Sequence, residues 1–312
     1  MHRRFVRDCA GLAGLTILTA CSGSAPPTIS QPAALSEKQT ASSAVKNALL
    51  YISDSGTDTV SIYNYPTDTL SGTLTDQDAS GECVDRTGNV YIVITQARET
   101  DEYAPGGSKP VAKFKASGPR YEWPVSCSVD PNTGNLAVAN AIAGTGKTPG
   151  PGSVSVYQPG QQRPSKFQAP NMYTYWFLSY DNAGNLFVDG SASRASVEFR
   201  YAELPRGRKQ MKPIVLKGGS IASPGNVQWD GNHITIGDQD NAVIYQTKGA
   251  RIVGSTPLTG SSDVVGYFID GGTVICPDAG NGTVEFYNYP AGGAPIGSIT
   301  GFDRPVGAVV SR

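Results

Sequence analysis

Histidine is nearly absent from this chain, which limits the chemistry that its side chains could perform. Of 312 residues only two are histidine: His2, and His233 in the segment WDGNHITI. Nucleophilic mechanisms of the Ser-His-Asp or Cys-His kind, and metal sites built from several histidines, would all depend on His233. A single histidine beside a turn is typical of a structural or solvated residue, so the sequence does not favour these mechanisms.

Carboxylates recur at one kind of position, directly at the end of a short apolar run. These residues are Asp54, Asp189, Asp238 and Asp278, with Asn140 and Gln96 at the equivalent places of two further segments. One interpretation is structural, because an aspartate at this place can accept backbone N–H bonds and cap the following turn. The other is a ring of acceptors for a cation or a polar ligand.

A second set of residues differs from segment to segment, so turn chemistry does not require it. We predict a ligand site from a carboxylate, an amide and aromatic residues that precede or begin apolar runs: Glu82, Trp123, Tyr175, Trp176, Asn226 and Asp263. Aromatic rings beside carboxylates and amides suit a carbohydrate or another small polar ligand. Packing between structural units is the alternative explanation for the aromatic residues.

A repeated hairpin pattern predicts the elements that position these residues. Five segments have an apolar run ending in Asp, then Asn or Gly, then a second apolar run, with Asp at 85, 130, 181, 230 and 270. Gly or Asn supplies the positive φ that a tight hairpin requires. The aspartates lie between 40 and 51 residues apart, and a period of this size with several short strands per unit is typical of propeller blades.

The two ends of the chain predict a sixth unit. The last residues, VGAVVSR (Val306–Arg312), read as a first strand without a partner, and LLYISDS (Leu49–Ser55) reads as a second strand without a first. Pairing them would close the ring and leave no open edge. We therefore predict an all-β fold, a six-bladed β-propeller over residues 48–312 that is closed by its N-terminal and C-terminal strands.

The repeats resemble the NHL-type, TolB-like six-bladed propellers of exported bacterial proteins. The resemblance covers nearly all of residues 49–312 and rests on LYISDSGTDTVSIYNYP followed by DRTGNVYI. It implies the fold more specifically than an activity, because members include interaction platforms, ligand binders, lactonases and lyases. Similarity to the lactonases implies a second possibility, a hydrolase with Ca²⁺ or Zn²⁺ held by Glu82, Asn226, Asp238 and Asp263.

The first 47 residues predict export and anchoring. Three arginines precede the apolar run Ala10–Leu18, which is typical of a signal peptide over residues 1–20. The following LTAC resembles the bacterial lipobox, which implies lipidation of Cys21 and a place in the envelope, on an outer membrane facing the periplasm or the cell surface. Residues 21–47 are rich in Ser, Ala, Pro and Gln and predict a flexible tether. An ordinary signal peptide with an incidental Cys21 is the alternative.

Three cysteines remain in the predicted propeller: Cys83, Cys127 and Cys276. Cys83 and Cys127 fall in the innermost strands of consecutive blades, so only they could form a disulfide. Small buried thiols are the alternative.

The net charge of the chain limits which kinds of partner it is expected to bind. The formal net charge is −1, which argues against nucleic acid. We predict a monomeric binding scaffold for a protein or a glycan, without a cofactor and more a binder than an enzyme.

Overall fold

The backbone consists of short strands arranged as six separate sheets. The computed structural model describes residues 48–75, 78–116, 122–144, 149–196 and 198–312. In chain order the strands are β1 (Leu49–Asp54), β2 (Thr59–Asn64), β3 (Thr69–Leu74), β4 (Ala79–Val84), β5 (Val90–Ile94), β6 (Glu99–Tyr103), β7 (Ala112–Lys115), β8 (Pro124–Val129), β9 (Leu136–Ala143), β10 (Gly150–Tyr157), β11 (Ser165–Phe167), β12 (Thr174–Tyr180), β13 (Leu186–Ser191), β14 (Phe199–Leu204), β15 (Lys212–Pro213), β16 (Pro224–Trp229), β17 (Ile234–Asp238), β18 (Val243–Lys248), β19 (Arg251–Pro257), β20 (Phe268–Asp270), β21 (Thr273–Asp278), β22 (Thr283–Asn288), β23 (Gly297–Thr300) and β24 (Pro305–Ser311). Within the described ranges there is no helix, and so none that is long and apolar enough to cross a membrane.

Each sheet is one four-stranded antiparallel blade. Blades 1 to 5 are β4–β7, β8–β11, β12–β15, β16–β19 and β20–β23, and blade 6 has the order β24-β1-β2-β3. The prediction of a six-bladed propeller is therefore confirmed. We call the end where first strands begin and second strands end the upper face, and the end with the first hairpin turns the lower face.

Blade 6 closes the ring as predicted. β1 pairs antiparallel with β24, with Leu49 opposite Ser311 and Ser53 opposite Gly307. The Asp54 carboxylate strengthens the junction by accepting the backbone N–H groups of Asp303 (2.9 Å) and Arg304 (2.8 Å). Because β24 and β1 are hydrogen-bonded inside one sheet, blade 6 is complete and the ring is closed.

The first hairpin turns follow the predicted Asp-Gly chemistry. In blade 1 the Asp85 carboxylate accepts the backbone N–H groups of Thr87 (2.8 Å) and Asn89 (2.9 Å), and Gly88 has φ +86°. In blade 3 the same arrangement recurs at Asp181, and Gly184 has φ +83°. A residue with a Cβ is disfavoured at such a φ. Local turn chemistry therefore sets the register of these hairpins.

The hydrophobic core lies between neighbouring blades. Alternate residues of the strands face opposite sides of a sheet, and both sides of a blade are covered by its neighbours. Between blades 2 and 3 the fully or almost fully buried side chains include Ala137, Ala139, Val154, Leu178, Leu186, Val188 and Ala202. These layers hold the six first strands around a central channel.

A disulfide joins the first strands of blades 1 and 2. The sulfur atoms of Cys83 in β4 and Cys127 in β8 lie 2.08 Å apart, so the pair is bonded and the interpretation as free thiols is wrong for these two residues. Cys276 is a buried free thiol whose pKa burial raises well above the ordinary value. The predicted signal peptide, tether and lipidated Cys21 lie outside the described residues.

Candidate functional site: the central channel and the upper face

The first strands of all six blades enclose a channel cavity of about 220 Å³. Glu82 and Asn226 of the predicted ligand set both line it. The lining reaches Pro131 and Asn182 in the hairpin turns, so the cavity extends toward the lower face. Trp123, Trp176 and Asp263 do not line it. The predicted site is therefore divided between an internal channel and the upper face.

Most polar side chains of the channel wall join one blade to the next. First strands of neighbouring blades do not form a continuous backbone ladder around the channel, so side chains supply the connecting bonds. Ser126 Oγ donates to Trp176 O (2.7 Å), Ser128 Oγ accepts from Tyr180 N (3.1 Å), Ser179 Oγ accepts from Trp229 N (3.1 Å), Asn226 Nδ2 donates to Tyr267 O (2.6 Å), and Gln228 bonds both Ile269 N (2.7 Å) and Ile269 O (3.1 Å). The amide nitrogen of Asn226 is thus used by the fold.

Glu82 is the exception in the channel wall, because its carboxyl is only half satisfied. Oε1 accepts a short hydrogen bond from Ser53 Oγ of blade 6. Oε2 is enclosed and has no hydrogen-bond partner among the described residues. Burial raises the pKa of Glu82 to about 7, against smaller opposing effects of hydrogen bonds from Ser53. A Cβ at Gly307 would lie 2.1 Å from Oε2, so a larger residue at this position would displace the carboxyl.

The recurring carboxylates cap the loops that lead into the first strands. Each accepts backbone N–H groups of its own blade: Asp54 from Asp303 and Arg304, Asp189 from Phe177 (2.9 Å), Asp238 from Ala222 (3.0 Å) and Ser223 (3.2 Å), and Asp278 from Ser262 (2.8 Å) and Asp263 (3.1 Å). The predicted capping of the following turn is confirmed for Asp54, which also accepts from Gly56 N (3.0 Å), and for Asp278, which also accepts from Gly280 N (3.0 Å) and Asn281 N (3.1 Å). Asp189 and Asp238 accept backbone N–H groups on the first-strand side of their blades instead. Asp189 also has an enclosed Oδ2 without a partner among the described residues, and burial raises its pKa well above the ordinary value.

Two tryptophans of the predicted set are exposed on the upper face of adjacent blades. Trp123 directly precedes β8 and is 43% exposed, while Trp176 lies near the start of β12 and is 37% exposed. The Trp176 carbonyl is bonded to Ser126, which places the two segments side by side. Packing between blades therefore does not account for these side chains.

Tyr175 does not belong to this surface, which corrects the prediction. Its side chain has no exposed area, and its hydroxyl accepts the backbone N–H of Ala169 (2.6 Å). The ring fills the core between blades 2 and 3. Trp176 is the next residue of β12 and faces the other side of the sheet, as successive residues of a strand do.

Two residues of the metal alternative make hydrogen bonds to neighbouring segments. Asp238 receives backbone N–H groups on both carboxylate oxygens, and Asn226 is bonded to blade 5. Asp263 is partly buried; its pKa is raised by burial and lowered to a smaller extent by Arg304. Among the described residues no group of three or more His, Cys, Asp or Glu side chains is placed to hold a metal ion. The metal alternative therefore stays a prediction.

Sequence analysis missed one polar cluster, which lies between blades 4 and 5 near the lower face. There the Asp230 carboxylate contacts His233 of its own turn and the Tyr289 hydroxyl (2.5 Å), which comes from blade 5. The signal in the sequence is that His233 occupies the place of Asn89 and Asn185 in other hairpins. The contact with Tyr289, 59 residues away in the chain, has no local sequence signal.

Comparison with known proteins gives no match to a family model and none to a curated protein. Solved structures of the same shape exist. A chain in the crystal structure of a nidogen/laminin complex superposes with a TM-score of 0.68 at 11% identity, covering 85% of this chain and 99% of that one. A protein of unknown function from Bacteroides caccae gives a TM-score of 0.62 at 13% identity, covering 86% of this chain and 100% of that one. Identities this low show the fold alone.

The architecture and these likenesses place the chain in the class of six-bladed β-propellers. Two features of this chain bear on its function: the exposed tryptophan pair on the upper face and the half-satisfied Glu82 in the channel wall.

Proposed function

We propose that this chain is an exported, lipid-anchored binding scaffold whose upper face docks a partner protein through Trp123 and Trp176. The exposure of both indole rings on adjacent blades is the observation that carries the proposal. Large aromatic side chains contribute a disproportionate share of binding energy at protein interfaces, and tryptophan leads among them. The proposal assigns no catalytic step to the channel.

Two further observations support a protein partner in an exported setting. The nidogen/laminin structure holds a propeller of similar shape in a complex between proteins, and the NHL-type resemblance includes interaction platforms. The Cys83–Cys127 disulfide suits an oxidising compartment. A glycan on the same face is the alternative ligand.

Crosslinking from the upper face tests the partner class. A photo-reactive phenylalanine analogue at position 123 or 176 should crosslink the same protein in envelope preparations of the native cells. The analogue at position 215 is the control, because Val215 is 79% exposed and distant in sequence from the pair. With the purified partner, W123A/W176A should weaken binding by about tenfold or more, whereas V215A should leave it unchanged. The proposal would be overturned if W123A/W176A bound the partner as tightly as V215A does, or if the crosslinked product were a saccharide and not a protein.

Lipidation at Cys21 has its own test. The full-length C21S protein should move from the membrane fraction to the soluble fraction of the envelope, because it loses the acyl chains that would hold it. Labelling with an alkyne-tagged palmitate should mark the wild-type protein and not C21S. Retention of C21S in the membrane fraction, or an unlabelled wild type, would contradict the anchor without affecting the proposed docking face.

A further inference from the structure

The cleft between blades 4 and 5 is larger than the channel and has a different chemistry. Its volume is about 500 Å³, compared with 220 Å³ for the channel and 360 Å³ for the equivalent cleft between blades 2 and 3. Volumes of this size are typical of small-ligand sites. We infer that this cleft binds a neutral sugar ring, with His233 and Gln246 as its polar contacts.

Asp230 positions the polar side of the cleft and is not itself free for a ligand. Its Oδ1 accepts the backbone N–H groups of Asn232 (2.7 Å) and His233 (2.6 Å), and its Oδ2 accepts from Tyr289 (2.5 Å) and faces His233 Nδ1 (3.4 Å). Burial by itself would raise the pKa of Asp230, but these hydrogen bonds together lower it. The carboxylate can only accept, so when the imidazole is neutral the contact with Asp230 places its proton on Nδ1. Nε2 is left as an acceptor at the cleft.

Gln246 adds a second acceptor. Its Nε2 donates to Thr256 Oγ1 (2.8 Å), which turns Oε1 toward Gly254. A Cβ at Gly254 would lie 2.5 Å from that oxygen, so the glycine leaves room for it at the cleft wall. A ligand that satisfies both acceptors must supply hydrogen-bond donors, as hydroxyl groups do.

The other lining residues are mostly apolar and carry no positive charge. Tyr289, Pro290 and the exposed Val253 contribute apolar surface, and Asn232 contributes a further polar side chain. An aromatic ring beside aliphatic groups suits the C–H face of a pyranose. None of the lining residues is Lys or Arg, whereas Arg206 and Arg208 line the equivalent cleft between blades 2 and 3. A neutral ligand therefore fits this cleft better than an anionic one.

The His233 side chain permits a direct test by NMR, because the chain has only one other histidine, His2. In the full-length protein labelled at histidine, titration with a panel of neutral mono- and disaccharides should shift the Cε1–H NMR signal of His233. The signal is assigned by its absence in H233N. The panel includes glucuronate and glucosamine, which should cause smaller shifts. Each sugar is tested at about 10 mM, a concentration that would populate even a complex with a millimolar Kd. If no neutral sugar moves the signal, or if either charged sugar binds more tightly than the neutral ones, the inference is overturned.

H233N is also the matched variant. Asn89 and Asn185 bond their turn aspartates at 3.0 and 2.9 Å, so asparagine should keep the Asp230 turn while Nε2 is lost. Saccharide affinity is measured by saturation-transfer NMR. It should fall roughly three- to tenfold in H233N, and by a similar factor in the separate variant Q246L, because each variant loses one hydrogen bond. R206A, in the other cleft, should bind as the wild type does. Equal affinity of H233N and wild type would place the ligand elsewhere and refute the assignment.

Discussion

Replacing Cys83 and Cys127 together by alanine is expected to lower the free energy of unfolding by about 4 kcal/mol. The disulfide spans 44 residues of sequence, and closing a loop of that length removes about this much conformational freedom from the unfolded chain. It also joins the first strands of two neighbouring blades at the channel. Urea denaturation of the wild type and of C83A/C127A under oxidising conditions measures the difference.

Cys276 provides the control for this result. Its side chain is buried but carries no cross-link, so C276A should lose only the contacts of one sulfur atom. Reductant should shift the wild type toward the double variant and leave C83A/C127A unchanged. Equal stability of the wild type and C83A/C127A in oxidising buffer, or an equal response of both to reductant, would refute a stabilising disulfide.

Substituting Glu82 by glutamine is expected to stabilise the protein above pH 7 by up to about 3 kcal/mol. The pKa of Glu82 is about 7 in the folded chain, compared with an ordinary value of 4.5, and each unit of difference corresponds to about 1.4 kcal/mol. Below pH 4.5 both states hold the proton. Between pH 4.5 and 7 the unfolded chain has released it while the folded chain retains it, so wild-type stability falls as pH rises. Above pH 7 both states are ionised and the penalty is complete.

The pH dependence separates this effect from a simple change of contacts. The difference in unfolding free energy between E82Q and wild type, measured by urea denaturation, should be near its minimum at pH 4 and grow steadily to pH 8. E198Q is the control, since Glu198 is exposed and lies outside the channel, and its difference from the wild type should change less with pH than that of E82Q. A pH-independent difference for E82Q would show that Glu82 does not hold its proton in the folded state.

The architecture could be predicted because it depends on short-range signals. The Asp-Gly turns at Asp85 and Asp181 act within five residues, and alternation of apolar residues acts within one strand. Repetition of these signals defined the number of blades, and the unpartnered strand patterns at the two ends of the chain predicted their pairing. The capping of the following turn by Asp54 and Asp278 could be predicted for the same reason, since a repeated turn requires a repeated residue.

The candidate site was predicted only in part, because side-chain direction and cavity shape depend on neighbouring blades. Tyr175 and Trp176 are adjacent in sequence, yet one is in the core and the other on the surface. Sequence placed Glu82 and Asn226 with the tryptophans, whereas the channel that they line extends toward the opposite face. The choice between disulfide and free thiols at Cys83 and Cys127 also required the distance between two blades.

Local patterns in the amino-acid order were thus sufficient for the turns, the strand periodicity, the six blades and the closure of the ring. The packing of one blade against the next settled which aromatic rings are exposed, the enclosure of Glu82 beside Gly307, and the contact of Tyr289 with Asp230. The reason is physical: a strand encodes its own alternation, but side chains such as Glu82 and Asp230 also contact residues of a neighbouring blade that are distant in sequence. Those residues become neighbours only when the blades assemble.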